Sequence, residues 1–506
     1  MKLRFLILIA VGICLNGYSQ TVPSFVRDSL DIYIFRARHD WQIPGVAVCI
    51  VKDGQVVLAK GYGVKQFRTN DPVDENTLFM IGSNTKAMTA TAITMLQAQQ
   101  KLSLNDKVTK HLQGFRLHDP LTTRELMISD LLSHRLGMET FQGDFMYWTS
   151  ALTTAQVLEK FGKLKPVYSL RSRWGYTNAA FVAAGEIINR VTGKTWATYL
   201  RDSIFRPLGM NNTVALSKDL ISVSNKAVPH TYNHDQQLIK IPFCEIDNLA
   251  PAASVSSSVS DMSKWVLMQL DNGKLNGKQV INANALAQTK TPFSILGNGG
   301  HPFNKGHFSL YGLGWFLEEY SGRKIVSHTG GVNGFVTSVT LVPEERLGIV
   351  VLTNTDQNAF YEALKWEILD AYLNLPYRNY SNFYQQNTRQ QLNAAKKEWQ
   401  LKSDTIAGKP KSGLALEKYT GAYQHEAYGK LYLSKVNDHL LLKLEHHPDL
   451  LGKLEPLGGN RFLCTYSDPV FGRKVLSFIQ SGNAIKSFTF RVADFVEFTP
   501  YEFIKL

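Results

Sequence analysis

A serine hydroxyl three residues ahead of a lysine amine, in Ser83-Asn84-Thr85-Lys86, is the first pairing along this chain with chemical promise. A short apolar run ending in Gly82 reads as chain entering a turn, and the Ala, Met, Thr and Leu residues behind it propagate a helix. Positions three apart share a helix face, so Ser83 and Lys86 should meet. The amine can then take the hydroxyl proton, and amides at the helix start favour the negative charge that develops. Alone the tetrapeptide is weak, because Ser-x-x-Lys recurs by chance and a capping serine before a surface lysine is its commoner meaning. Two more stretches follow in order. Trp174-Gly175-Tyr176-Thr177-Asn178 stands at the head of a helix predicted from near Ala179, so Tyr176 and Asn178 project from one turn. His328-Thr329-Gly330-Gly331 ends a predicted strand. In a Ser/Lys mechanism a phenol relays the serine proton, an amide side chain holds substrate and lysine, and a strand edge pairs with a peptide-like substrate.

The elements that must position these groups read as an α+β arrangement. Residues 24–38 mix apolar and charged positions as an amphipathic helix does. Apolar runs at 46–51 and 56–62 are joined through Asp53-Gly54, a tight-hairpin signal. After the Ser83 helix, 102–320 reads as mostly helical, and strands return at 324–328, 336–342 and 348–354, with a helix at 361–373 to cover them. A sheet split by a long helical insertion, with helices from both chain ends on one face, results. Residues 376–413 have linker composition around a charged helical stretch. About eight short alternating strands follow within fewer than a hundred residues, with turns at Asn437-Asp438 and Ser481-Gly482-Asn483, which suggests a small closed antiparallel barrel.

Composition limits the class. The chain has 506 residues, 44% of them hydrophobic, enough for a full core and two domains. Lys2 and Arg4, an apolar stretch over 5–15 and then Gly17-Tyr18-Ser19 predict a secretory signal cleaved after residue 19, and so export, with the periplasm as the expected compartment. The apolar run is shorter than the roughly 20 residues of a spanning helix, so no stable membrane anchor is expected, and bulky Ile13 before Cys14 argues against a lipoprotein. Cys49, Cys244 and Cys464 fit neither a disulfide framework nor a metal site. The formal charge of +13, from 55 basic and 42 acidic residues, is spread without a basic run, which excludes a nucleic-acid partner and leaves attraction to an anionic envelope or to carboxylate-bearing substrates.

Taken together, Ser83-x-x-Lys86, Tyr176-x-Asn178 and His328-Thr329-Gly330 resemble the three motifs of the penicillin-recognising serine hydrolases, in their class C β-lactamase-like branch. Leu131-Leu132-Ser133-His134, Gly185-Glu186-Ile187-Ile188, Phe205-x-Pro207-Leu208-Gly209-Met210, Tyr311-Gly312-Leu313-Gly314-Trp315 and Leu352-Thr353-Asn354 resemble further landmarks in family order. The resemblance covers roughly 24–375 and implies a β-lactamase/transpeptidase-like hydrolase domain over 20–375, a linker over 376–413 and a β-barrel over 414–506 similar to the lipocalin-like domains appended to such enzymes. It makes Ser83 the acylated nucleophile, Lys86 its deprotonating partner and Tyr176 the general acid/base, with an oxyanion hole from the amides of Ser83 and Gly331. Asn178, His328, Thr329 and Gly330 become substrate-binding residues, Asn178 orienting Lys86 and the acyl amide. Lys86 can act as a base only if burial and cationic neighbours depress its pKa, and a phenolate at Tyr176 needs the same positive surroundings. Many β-lactamases carry lysine where His328 stands; a neutral imidazole holds a carboxylate less well, which points toward the related esterases and D-amino-acid peptidases. Arg135-Leu136-Gly137 replaces a small-residue turn and is expected to narrow that side of the cleft.

The remaining candidates carry little. His230 and His234 read as loop residues, His446-His447-Pro448 as a solvated loop, and the glycine clusters at 297–300 and 330–334 as turns. No metal or cofactor is expected. The reading is a secreted serine hydrolase cleaving an amide or ester, such as a D-amino-acid-containing peptide or small ester, with a class C-like β-lactamase or a non-catalytic peptidoglycan-binding envelope protein as alternatives. Expected partners are a small-molecule or short-peptide substrate, peptidoglycan fragments among them, and a second copy of the chain through the barrel, whose interior side chains should fill.

Overall fold

The computed structural model describes residues 22–506; the predicted signal at 1–19, with Cys14, lies outside them. Helix α1 (Leu30–Asp40) leads into β1 (Gly45–Lys52) and β2 (Gln55–Gly63). They close through Asp53-Gly54, both at positive φ (50° and 79°), the twist that suits a two-residue hairpin. Every residue of β1 is buried, and period two divides it between two cores. Val46, Val48 and Ile50 face the layer containing α1, while Ala47, Cys49 and Val51 face the larger core opposite. An unbroken apolar run is therefore what a strand with helices on both faces requires.

The chain then leaves the sheet for helices including α2 (Thr85–Ala98), α3 (Asn178–Thr192) and α4 (Val259–Leu270). It returns as β3 (Ser294–Gly297), β4 (Ser309–Tyr311), β5 (Phe316–Tyr320), β6 (Arg323–Val332), β7 (Phe335–Val342) and β8 (Leu347–Thr353). These strands build one eight-stranded sheet in the order β2-β1-β8-β7-β6-β5-β4-β3. Sequence predicts helix through most of 102–320, and here the structure differs: β3 to β5 are sheet strands, only three to five residues long, too short to display an alternating pattern. Helix α5 (Phe360–Tyr372) joins α1 on the outer face.

The stretch 376–413 is largely one helix, α6 (Tyr380–Ala407). Its first turn is tied to the hydrolase domain: Trp41 Nε1 donates to Ser381 Oγ at 2.9 Å and the Tyr380 hydroxyl donates to Asp370 at 2.9 Å. Beyond it, β9 (Gly421–His425), β10 (Gly429–Val436), β11 (His439–Leu444), β12 (His447–Pro456), β13 (Arg461–Tyr466), β14 (Arg473–Ser481), β15 (Ala484–Phe490) and β16 (Tyr501–Lys505) close an antiparallel barrel. Its interior is filled: Tyr419, Tyr423, Phe462, Phe478 and Phe488 are buried in edge-to-face and stacked contacts.

His447 is not in a solvated loop. It opens β12 with 2% exposure, stacks on Phe145 of the hydrolase domain at 4.9 Å and donates from Nε2 to the Trp148 carbonyl at 3.0 Å. The Tyr428 hydroxyl donates to its Nδ1 at 2.7 Å. The barrel is thus docked on the segment around 141–151 of the hydrolase domain.

Candidate active site

Ser83 does not cap a helix. It lies in a tight turn, Gly82–Asn84, just ahead of α2, and Asn84 is the cap position. From 77 to 96 every residue except Ser83 is buried, so the hydroxyl is the one point of this segment open to a reactant. Asn84 locks the turn by donating from Nδ2 to the Ile81 carbonyl (3.0 Å) and to Thr337 Oγ1 on β7 (2.9 Å). Gly82 has φ +53°, and a β-carbon there would sit 2.8 Å from the Gly331 amide nitrogen; one on Gly330 would sit 1.9 Å from the Ile81 carbonyl oxygen. Only glycines let the Ser83 turn and the β6 backbone lie this close, which is what an oxyanion hole from the Ser83 and Gly331 amides needs.

Lys86 is fully buried and its Nζ has three oxygen neighbours: Ser83 Oγ at 3.0 Å, Asn178 Oδ1 at 2.6 Å and the Ala252 carbonyl at 3.0 Å. The last two can only accept, so they take two amine hydrogens whatever the protonation state. The Ser83 line alone is variable. An ammonium donates along it; a neutral amine receives the serine proton through it. Burial pulls the Lys86 pKa down to about 7, opposed by the attraction of Asp144. No cationic neighbour takes part, contrary to the expectation that one would be needed. Asp144, also buried, accepts from Asn178 Nδ2 at 2.5 Å, and burial pushes its carboxyl up to about 8. Asn178 is thus engaged at both ends, by Lys86 and Asp144, which fixes its amide orientation.

Tyr176 faces Ser83, and its ring lies under Lys86 with Nζ 4.6 Å from the centroid. Burial, the larger influence, raises the phenol pKa and the Ser83 bond partly lowers it, so near neutral pH the phenol keeps its proton.

His328 is placed differently from the substrate-binding role expected of it. The ring is 1% exposed and both nitrogens are used. Nδ1 lies 2.6 Å from the Thr329 carbonyl, which can only accept, so Nδ1 carries the proton and Nε2 accepts from the Tyr311 hydroxyl at 3.0 Å. The Tyr311 oxygen is in turn 3.3 Å from Nε2 of His134, whose Nδ1 accepts from the Thr177 amide at 3.0 Å. One arrangement of protons satisfies the whole chain, with both rings neutral. Burial drives His328 down to about 3, with Lys86 adding to the effect. The imidazole has no nitrogen for a carboxylate, and position 328 supplies only backbone.

That backbone is exposed to a partner. β5 pairs with β6 only through Arg323 to Ser327, whereas β7 pairs with it from Val326 to Val332. The β6 edge from 328 to 332 is therefore unpaired on the β5 side, with Thr329 and Gly331 partly exposed and Gly330 buried. An extended substrate can add there as a strand.

Arg135 and Leu136 do not narrow the cleft. Leu136 is buried in the main core, and the Arg135 guanidinium pairs with Asp130 at 2.8 Å. His230 is buried and accepts from the Phe67 amide at 3.1 Å. Among the described residues no group of three or more His, Cys, Asp or Glu side chains is placed to hold a metal ion. Sequence reasoning missed Asp144 and the Ala252 carbonyl, neither of which lies in a periodic or motif-bearing stretch. His134 and Tyr311 fall within the landmark stretches quoted above, which marks the positions but not their role.

The model of the Beta-lactamase family matches residues 33–373, and that of a domain of unknown function, DUF3471, matches 407–503. Unguisins hydrolase ungD' of Aspergillus campestris (strain IBT 28561) is 30% identical over 414 residues, 77% of this chain and 74% of that protein. Protein flp of Staphylococcus aureus (strain NCTC 8325 / PS 47) is 26% identical over 329 residues, 62% of this chain and 61% of that one. Among solved structures, the octameric penicillin-binding protein homologue from Pyrococcus abyssi is similar with a TM-score of 0.61 at 20% identity, covering 94% of this chain and 99% of that one. A D-stereospecific amidohydrolase from Streptomyces sp. is similar with a TM-score of 0.54 at 20% identity, covering 67% and 97%. Fold and site together define a serine hydrolase of the Ser-x-x-Lys type. The chain belongs to the beta-lactamase family, with a C-terminal DUF3471 barrel.

Proposed function

We propose that the protein is an exported hydrolase that cleaves an amide or ester, such as a D-amino-acid-containing peptide or small ester, through an acyl-enzyme on Ser83. The observation that carries this is the Lys86 amine, whose two fixed carbonyl acceptors leave Ser83 as the sole variable partner. Neutral Lys86 takes the Ser83 proton as Oγ attacks the carbonyl carbon; the amides of Ser83 and Gly331 receive the oxygen's charge. Tyr176 gives its proton to the departing amine or alcohol and is reprotonated from Lys86. Water then attacks the ester by the reverse relay, releasing the acid and restoring Ser83.

The open edge of β6 supports a peptide-like substrate, and the neutral, fully engaged His328 disfavours one held by its carboxylate. The name of the D-stereospecific amidohydrolase is in keeping with such a substrate, and that of the unguisins hydrolase with hydrolysis. Residues 1–19 support export, and among the described residues no helix is long and apolar enough to cross a membrane. The octameric state of the Pyrococcus abyssi homologue motivates an oligomeric assembly here as well.

A fluorophosphonate probe followed by intact-mass measurement should add one label to wild type and none to Ser83→Ala. Equal labelling of both would remove Ser83 from the mechanism. Turnover of a short-chain ester, a D-Ala-D-Ala peptide and a chromogenic cephalosporin, compared side by side, should rank the cephalosporin last; if it ranks first the protein is a β-lactamase. Neither an adduct nor turnover would instead favour a binding protein.

A further inference from the structure

Between β15 and β16 the chain leaves the barrel, and part of this excursion reaches the nucleophile. A β-carbon on Gly331 would lie 3.4 Å from Phe495 Cε2, so the Phe495 ring stands directly in front of that residue, and it meets Trp148 edge-on at 6.4 Å. Phe498 stacks on Phe141 at 5.6 Å, and Phe141 stands edge-on to Tyr176 at 5.5 Å. Both barrel-borne rings nonetheless keep 41% and 52% of their surface open. Large apolar side chains held open beside a nucleophile are surface that a ligand can cover.

The segment is also fixed in place. Glu497, 2% exposed, accepts from the amides of Gly143 at 2.7 Å and Phe145 at 2.9 Å, and from the Tyr501 hydroxyl. Those amides flank Asp144, the partner of Asn178. Buried Glu497 thus ties the barrel segment to the short helix Asp144–Tyr147, whose first residue supports Asn178 and through it Lys86.

We propose that Phe495 and Phe498 form the wall against which the acyl side of the substrate packs, so that the barrel sets specificity and favours a bulky apolar or aromatic acyl group. This rests on the acyl-enzyme reading above. The Gly331 amide is to receive the scissile carbonyl oxygen, and a ring standing where a side chain of that residue would point lies beside whatever else the carbonyl carbon bears. Phe495 and Phe498 are therefore specificity-determining residues contributed by the second domain.

The test uses the full chain and p-nitrophenyl esters of acetic and phenylacetic acid. Phe495→Ala and, independently, Phe498→Ala should each lower the phenylacetyl-to-acetyl ratio of kcat/KM by about 10-fold, the size of a lost apolar pocket contact. Tyr432→Ala, at an exposed barrel position paired with Ala422 and Lys443, should leave the ratio unchanged. If both phenylalanine variants melt as wild type does and keep the wild-type ratio, or if Tyr432→Ala shifts it equally, the wall is wrong. Ser83 labelling separates the two failures: with label on Ser83 only the wall falls, and without it the hydrolase reading falls and takes the wall with it.

Discussion

Replacing Gly330 with alanine tests whether the meeting of β6 with the Ser83 turn makes the oxyanion hole. The new β-carbon would lie 1.9 Å from the Ile81 carbonyl oxygen and 2.7 Å from Thr337 Oγ1. Neither can yield freely, since the Ile81 oxygen already accepts from Asn84 Nδ2 and from Thr337 Oγ1, each at 3.0 Å. A carbon–oxygen contact needs about 3.3 Å, so strand and turn must separate by about 1.4 Å. Such a shift takes the Gly331 amide out of register with the Ser83 amide. Losing one oxyanion donor costs about 10²- to 10³-fold in kcat, with KM little changed because the donor acts on the transition state. Overpacking should also lower stability by about 1–3 kcal/mol. Gly331→Ala is the control, because its β-carbon meets Phe495 at an ordinary 3.4 Å and leaves the amide in place; its kcat should fall less than about 10-fold. The assay is steady-state ester hydrolysis on both variants, with urea denaturation to establish folding. A folded Gly330→Ala enzyme with kcat within about threefold of wild type would refute the reasoning.

Other consequences concern Lys86. It serves as base only when neutral and its pKa is near 7, so kcat/KM should climb with pH below about 7 and level off above, with no alkaline fall where the raised Tyr176 phenol keeps its proton. Asp144→Asn keeps an acceptor for Asn178 while removing any carboxylate charge that opposes burial at Lys86, so it should not move this limb to higher pH; a limb shifted upward in a pH–rate profile would count against Lys86 as the base. Lys86→Met should cost about 10²- to 10⁴-fold in turnover. The unfolded chain regains an ordinary lysine while the native one is deprotonated above about 7, so between pH 7 and 10.5 the Lys86 contribution to stability rises with pH, by up to about 1.4 kcal/mol per unit, and the methionine variant lacks that contribution. Urea denaturation of both proteins at pH 7 and pH 9 reads the difference, and parallel behaviour would contradict a buried neutral amine.

Local signals were enough for much of the architecture. The Asp53-Gly54 pair announces the first hairpin, the apolar runs announce β1 and β6 to β8, and the turn residues announce the barrel, because these elements are long enough for periodicity and turn chemistry to show. β3 to β5 escape because three to five residues carry too little pattern, and His447 escapes because its polar neighbours conceal a ring that stacks on Phe145. Spacing alone puts Ser83 beside Lys86, and motif order nominates Tyr176, Asn178 and Gly331. What spacing cannot supply is burial and long-range contact. The lowered pKa of Lys86 comes from an enclosure completed by Asn178 and Ala252, 92 and 166 residues away. The neutrality of His328 comes from Tyr311 and His134, and the placing of Phe495 over Gly331 comes from another domain. Residue types and their local order determine which groups are available for chemistry. Their protonation, and the surface a substrate meets, depend on desolvation and on neighbours distant in the chain, which the tertiary structure alone decides.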